Sequence, residues 1–104
     1  MSLNTEELAR TRCELRANLA LTALTTAQVA ADLDWPASRL HTALHSTRPS
    51  DPVDVWQLRD YLDRAVRDSG RVPVPFTILT SRNRGMARMW FNLRKAPRHD
   101  FATV

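Results

Sequence analysis

Apolar residues recur three and four positions apart along most of this chain, which is the spacing of one face of an α-helix. The clearest case is the stretch 25–44, TTAQVAADLDWPASRLHTAL. Val29 and Leu33 lie four apart in its first half, and Leu40 and Leu44 lie four apart in its second half. Two short helices are therefore predicted, each with its apolar side toward a common core.

The residues at the ends of these two helices predict how they are joined. Thr25 and Gln28 have the spacing of a capping box, so the first helix should begin just after Thr25. Asp34 falls at the corner, where a left-handed backbone is usual, and Asp tolerates that conformation. Trp35 should point inward, and Pro36 suits the first turn of the second helix. This arrangement predicts a helix-turn-helix motif, whose second helix can enter the major groove of DNA.

Helices are also predicted on both sides of this motif. Asn4 can cap a first helix, with Glu7 at the capping-box spacing, that runs to about Leu21. Asp51 and Pro52 favour the start of a long helix that ends at Gly70. The expected core combines the motif with the apolar sides of these helices: Val29, Ala30, Leu33, Trp35, Leu40 and Leu44 with Leu15, Leu19, Leu58 and Leu62.

The stretch after Gly70 follows a different pattern. Pro73 and Pro75 exclude a helix there, so residues 71–79 should form an extended arm or a short strand, packed on the helices or paired with a second copy. A last helix should begin near Thr80 and end before Ala96. Its expected apolar face is Met86, Met89, Trp90 and Leu93, and its basic face is Arg84, Arg88 and Lys95.

These elements predict an all-α fold of about five helices, with a helix-turn-helix core and a short extended arm before the last helix. Residues 1–104 should form one domain, with a helical core at 1–70 and a basic arm and C-terminal helix at 71–104. The last residues are expected to be loose.

Composition agrees with a globular protein, at 43% hydrophobic and 25% charged residues. The single cysteine, Cys13, excludes an intrachain disulfide and is expected in the core or at its boundary. The chain shows no signal peptide and no apolar stretch that could cross a bilayer. The cytoplasm is the expected compartment.

Charge is divided unevenly along the chain. The first seventy residues hold eight basic and ten acidic residues, a net charge of −2, whereas the remainder holds seven basic residues and one acid, a net charge of +6. Any attraction to phosphate should therefore depend on the second part.

Three segments resemble a known family. They are the opening MSLN, the first-helix segment 12–18 and the block 51–62, DPVDVWQLRDYL. They resemble a small bacterial family catalogued as domain of unknown function 2316, and the resemblance covers nearly the whole chain. It implies a helical fold of the helix-turn-helix type, with no assigned activity and no catalytic residues to carry over.

Little in the chain indicates catalysis. His41 and His45, four apart, could share a metal ion, but no third ligand is indicated, and contact with water or nucleic acid is the preferred interpretation. The chain contains no HExxH, CxxC or phosphate-binding Gly-rich motif. We expect no enzymatic activity and no cofactor. The Met86–Leu93 stripe could lie on a membrane surface, but a core or dimer face explains it better.

The preferred interpretation is a homodimeric regulator of transcription that binds double-stranded DNA. The second helix of the motif would enter the major groove, with Arg39 on a guanine. An effector ligand is not predictable. The other expected DNA contacts are Ser38, His41 and Thr42 for bases or phosphates, Thr25, Thr26 and Gln28 for the backbone, and Arg48, Arg84 and Arg88 for phosphates.

Two alternatives stay open. The first is a protein-protein interaction module that keeps the helix-turn-helix fold without binding DNA, and the negative charge of the first seventy residues supports it. The second, weaker alternative is a small enzyme or metal carrier that uses His41 and His45.

Overall fold

A computed structural model describes residues 4–45 and 51–101, and within them the chain forms helices and no strand. The helices are α1 (Thr5–Thr22), α2 (Thr26–Leu33), α3 (Ala37–His45), α4 (Pro52–Asp68) and α5 (Ser81–Trp90). The predicted all-α class is confirmed. Residues 46–50, which include the predicted phosphate contact Arg48, lie outside the described residues. No helix in the described ranges has both the length and the apolar character needed to span a membrane.

The local signals in the sequence set the ends of the first helices. Asn4 and Glu7 form the predicted capping box at the start of α1. At the start of α2, the Gln28 amide donates to Thr25 Oγ1 at 3.1 Å and the Thr25 amide donates to Gln28 Oε1 at 2.8 Å. Asp34 ends α2 in the left-handed conformation, with φ 57° and ψ 45°. The chain therefore turns between α2 and α3 at the predicted residue.

The core lies between α1 and α4, which pack along each other, with α2 and α3 closing one side. Nine of the ten predicted core residues are buried, and Leu19 is partly buried at the edge of the same cluster. Complete burial of one such side chain contributes about 1.5–3 kcal/mol, so this cluster supplies the main stabilisation of the fold. Tyr61 and Trp56 of α4 are also buried in it.

Residues 71–80 form the predicted extended arm, which packs on the helices of its own chain. Phe76 and Leu79 belong to the core cluster. The Val74 amide donates to Asn18 Oδ1 at 2.9 Å, and Asn18 Nδ2 donates to the Val74 carbonyl at 3.1 Å. Asn18 therefore takes the place of a neighbouring strand as hydrogen-bond partner of the arm, because it satisfies both the amide and the carbonyl of Val74.

The end of the chain differs from the sequence-based prediction. Helix α5 stops at Trp90, where Phe91 turns to extended backbone, so Leu93 and Lys95 are not on the helix. Residues 91–101 instead lie against the helices. Gln57 Nε2 donates to the Lys95 carbonyl at 3.2 Å, and Phe91 and Leu93 pack against the core. These contacts favour the extended path over continued helix. Arg98 and His99 contact Asp68 and Asp32, so the expectation that the last residues are loose is wrong for these two.

Cys13 is another correction, because it is exposed on α1 rather than in the core or at its boundary. Its neighbour Arg12 takes the buried position instead, at 5% exposure.

Candidate nucleic-acid interface

Helix α3 presents a polar face to solvent because its apolar residues face the core. Ser38, His41, Thr42 and His45 are exposed, and all four can donate or accept hydrogen bonds. The Thr42 hydroxyl donates to the Ser38 carbonyl at 2.9 Å. The structure therefore brings three of the predicted site residues, Ser38, His41 and Thr42, onto one open surface together with His45.

The N-terminus of α2 lies beside this surface. Thr26, Ser38, His41 and His45 border one hollow of about 310 Å³. Thr25 and Gln28 are exposed nearby in sequence, but their side chains cap the first turn of α2. Of the three residues predicted to touch the DNA backbone, Thr26 is the one that the structure places in the hollow with α3.

The two histidines of α3 are neighbours, with ring centroids 4.7 Å apart. Desolvation by burial, and then the charges of His41 and Arg16, hold the pKa of His45 below its ordinary value. Arg16 Nη1 also donates to the Leu44 carbonyl at 2.8 Å, so a cation occupies the C-terminal end of α3. Within 4–45 and 51–101, no group of three potential metal ligands is present.

Arg39 does not belong to the open face. Its Nε and Nη2 donate to the two oxygens of Asp54 at 2.8 and 2.5 Å, and its guanidinium lies 4.7 Å from the Trp35 ring centroid. The hydrogen bonds that Arg39 donates to Asp54 raise the pKa of Arg39, although burial opposes this. Arg39 therefore joins α3 to α4. To contact a guanine, it would have to break its ion pair with Asp54 and bind the base instead.

The two predicted phosphate-binding arginines of α5 have different surroundings. Arg84 forms a two-pronged ion pair with Asp60 and lies 4.9 Å from the ring centroid of Trp56. Arg88, one turn later, is exposed and has no ion-pair partner among the described residues. Both line a groove of about 810 Å³ between α4, α5 and the segment 91–101. The other cations of this groove are Arg64, Arg94, Lys95 and Arg98.

Sequence reasoning expected phosphate contacts from the arginines of the C-terminal part as a group, but it named Arg84 and Arg88 and not Arg94 and Arg98. The run Arg94-Lys95 followed by Arg98 was a signal that could have identified them, since clustered cations after a helix indicate an anion-binding patch.

The sequence-based prediction also missed a polar cluster around Asp32. The Asp32 carboxylate accepts a hydrogen bond from the Tyr61 hydroxyl at 2.5 Å and contacts His99 Nδ1 at 2.6 Å. Burial, and then the bond to Asp32, raise the pKa of Tyr61, so its hydroxyl stays protonated. No local signal predicts this cluster, because its members are 29 and 67 residues apart.

Fold and surface together define a small all-α protein with an exposed polar helix face and a basic groove. The model of domain-of-unknown-function family 2316, described as an uncharacterized protein conserved in bacteria, matches residues 1–92, and the chain belongs to this family. No curated protein and no solved structure matches the chain.

Proposed function

We propose that this protein binds double-stranded DNA through α3 and regulates transcription. The observation that carries the proposal is the polar face of α3, whose opposite side is fixed in the core by Leu40, Ala43 and Leu44. A short helix held in this way against a preceding helix is the form in which helix-turn-helix proteins offer a recognition helix to the major groove.

The side chains on this face match the chemistry of base edges and phosphates. Ser38 and Thr42 lie one turn apart and can contact neighbouring bases, and His41 and His45 can donate to base acceptors or to phosphate. Thr26, across the hollow, is suited to a backbone contact. Arg39 fixes the position of α3 in this proposal, because Asp54 holds its guanidinium.

The experiment is an electrophoretic shift of the full chain against pooled genomic fragments, followed by titration of the selected duplex. Ser38→Ala with Thr42→Ala removes two hydroxyls from the proposed face. We expect a loss of about tenfold or more in affinity, since each hydrogen bond contributes about 0.5–1.5 kcal/mol.

The matched control is Thr5→Ala with Ser81→Ala, which removes two exposed hydroxyls at the starts of α1 and α5. This control should bind like the parent chain. Equal affinities for the two double variants would contradict the assignment of α3 as the reading helix.

A twofold dimer is part of the proposal, because helix-turn-helix proteins commonly bind paired half-sites about 34 Å apart. Phe76 and Ile78 are buried within the chain, whereas Met86, Met89 and Trp90 are 44%, 81% and 68% exposed. These three residues are the proposed contact between copies. Met89→Glu should shift the sedimentation coefficient to that of a monomer, and a parent chain that is already monomeric at tens of micromolar would remove the dimer from the proposal.

A protein-protein interaction module is the second candidate, and two observations favour it. The only arginine of α3 is already paired with Asp54, and α5 exposes Met and Trp, residue types that are frequent at protein interfaces. A chain that shifts no duplex at low salt, but loses self-association on Met89→Glu, would support this candidate over DNA binding.

A further inference from the structure

Several cations of the C-terminal region, residues 71–101, already bind groups of the same chain. Arg84 is paired with Asp60, Arg98 is paired with Asp68 at 3.0 Å, and Arg71 Nη1 donates to the Leu21 carbonyl at 2.6 Å. The remaining cations of this region have no acidic partner in the described ranges. They are Arg82, Arg88, Arg94 and Lys95.

Three of these four cations converge on the same concave surface. Arg88 reaches the 810 Å³ groove from α5, and Arg94 and Lys95 reach it from the extended segment that follows. The early end of α5 produces this convergence, because the chain turns at Phe91 and runs back along α4. Had the helix continued, Arg88 and Lys95 would have shared one convex helix face, and Arg94 would have lain about 120° around the helix axis from Arg88.

The groove also contains cations that are held in place. Asp60 and the Trp56 ring fix the guanidinium of Arg84, and Asp68 contacts both Arg64 and Arg98. A preorganised cation loses less conformational freedom when it binds a ligand. The site therefore combines fixed cations in its wall with three cations that lack a counterion.

The lining has six cations, and Asp60 is its one acid. The volume of the groove lies within the range of about 300–1,000 Å³ that is usual for small-ligand sites. A single carboxylate carries one negative charge and would not neutralise three unpaired cations, whereas adjacent phosphates carry several charges and can accept bonds from several cations at once. Unpaired like charges held close together also repel one another, and a polyanion relieves that repulsion.

We propose that this groove is a binding site for clustered phosphates, contributed by a nucleic-acid backbone or by a free oligophosphate. The ligand would lie against Arg88, Arg94 and Lys95, with Arg84 and Arg98 held at the wall. The proposal is independent of the role of α3, since no residue of α3 lines the groove.

The test is calorimetric titration of the full chain with inorganic tripolyphosphate, and separately with a 20-base-pair duplex, at pH 7.5 and low salt. The groove variant is Arg88→Ala with Arg94→Ala. The control variant is Arg10→Ala with Arg82→Ala, which removes the same charge from exposed positions outside the groove lining. Circular dichroism and a melting curve of each variant confirm that the fold is retained.

We expect the groove variant to bind at least one probe about tenfold or more weakly than the control variant, because charge-assisted bonds contribute about 1.5–3 kcal/mol each. Loss with tripolyphosphate identifies a free oligophosphate as a ligand. Loss with the duplex alone identifies the nucleic-acid backbone.

Equal affinities of the two variants for both probes would overturn the groove site. The Ser38 and Thr42 variants test α3 separately. A failed groove therefore leaves the DNA-binding proposal standing, and a failed α3 leaves the groove standing.

Discussion

The helical body, α1 to α4, and the C-terminal region, residues 71–101, are held together by different forces. The body is organised around apolar side chains at helical spacing, and Leu15, Leu58 and Leu62 are fully buried in it. The C-terminal region contributes Phe76, Leu79 and Ala87 to that core, and polar contacts with the body add to its attachment. Examples are Asn18 with Val74, Asp60 with Arg84, and Asp68 with Arg98.

This difference explains the uneven charge of the chain. Over the full sequence, residues 1–70 have a net charge of −2 and the remaining residues have +6. In the fold, Asp60 and Asp68 of α4 form ion pairs with arginines of the C-terminal region. The acidity of the body therefore does not by itself argue against a polyanionic ligand, because some of it is neutralised within the chain. What such a ligand meets is the smaller set of cations that the body leaves unpaired.

The largest expected effect tests the apolar side of the comparison. Leu40→Ala in α3 should lower the free energy of unfolding by about 2–5 kcal/mol, since Leu40 is 2% exposed and its removal leaves a cavity. Val72→Ala, at a position that is 84% exposed, is the control and should change stability by less than about 0.5 kcal/mol. Urea denaturation measures both. An unchanged midpoint for Leu40→Ala would show that α3 does not depend on the core.

The second effect tests the polar attachment of the arm. Asn18→Ala should cost about 1–3 kcal/mol, because it leaves the amide and carbonyl of Val74 without their partner. Hydrogen exchange at the Val74 amide should accelerate more than exchange within α4. Uniform acceleration across both regions would mean that the arm and the body unfold as one unit, which would break the comparison.

Sequence pattern predicted the body well because its determinants are local. Thr25 and Gln28 are three residues apart, and Val29 and Leu33 are four apart. The amide of Asp34 donates to the carbonyls of Ala30 and Ala31, within one turn of the helix. The helix bounds and the core follow from such short-range relations.

The C-terminal region could not be predicted in the same way, because its partners are distant in sequence. Asp60 is 24 residues from Arg84, Gln57 is 38 residues from Lys95, and Asp32 is 67 residues from His99. Periodicity therefore extended α5 to Lys95, although contacts with the body favour an end at Trp90.

The same limit applies to the candidate site. The exposed side chains of α3 were identifiable from the positions of Leu40 and Leu44. The engagement of Arg39 was not, because its partner Asp54 is fifteen residues away on another helix. Whether any of these residues contacts DNA stays a prediction.

A third and smaller effect tests the ion pairs between the two regions. Asp60→Asn should cost about 1 kcal/mol of stability, because the Asp60–Arg84 pair is partly exposed and solvent screens it. It also removes the one acid from the groove lining, and the gain in positive charge outweighs the loss of the partner that fixes Arg84, so affinity for tripolyphosphate should rise.

Glu6→Gln is the matched control for that change, since it alters the net charge equally at an exposed ion pair on α1. An equal rise in affinity for both variants would mean that total charge, and not the groove, determines the attraction.

The smallest expected effect is the pH dependence of stability and of duplex binding, which tests the surface of α3 independently of the groove. The pKa of His45 lies below its ordinary value, first because of burial and then because of the charges of His41 and Arg16. As pH falls below about 6.5, the unfolded chain takes up the proton more readily than the folded one. The contribution of neutral His45 to stability is therefore present above that pH and is lost as pH falls through the lower, folded pKa.

Duplex binding should show the opposite trend if α3 lies in the major groove. Phosphates near the C-terminal end of α3 would favour protonated His45, so affinity should rise as pH falls from 7.5 to 5.5. Linkage to this one proton changes the logarithm of affinity by at most about one per pH unit. His45→Gln cannot titrate and should flatten that part of the dependence in fluorescence anisotropy titrations of one duplex. A variant that keeps the full dependence would place His45 away from the DNA, and phosphate contacts would then be assigned to the groove alone.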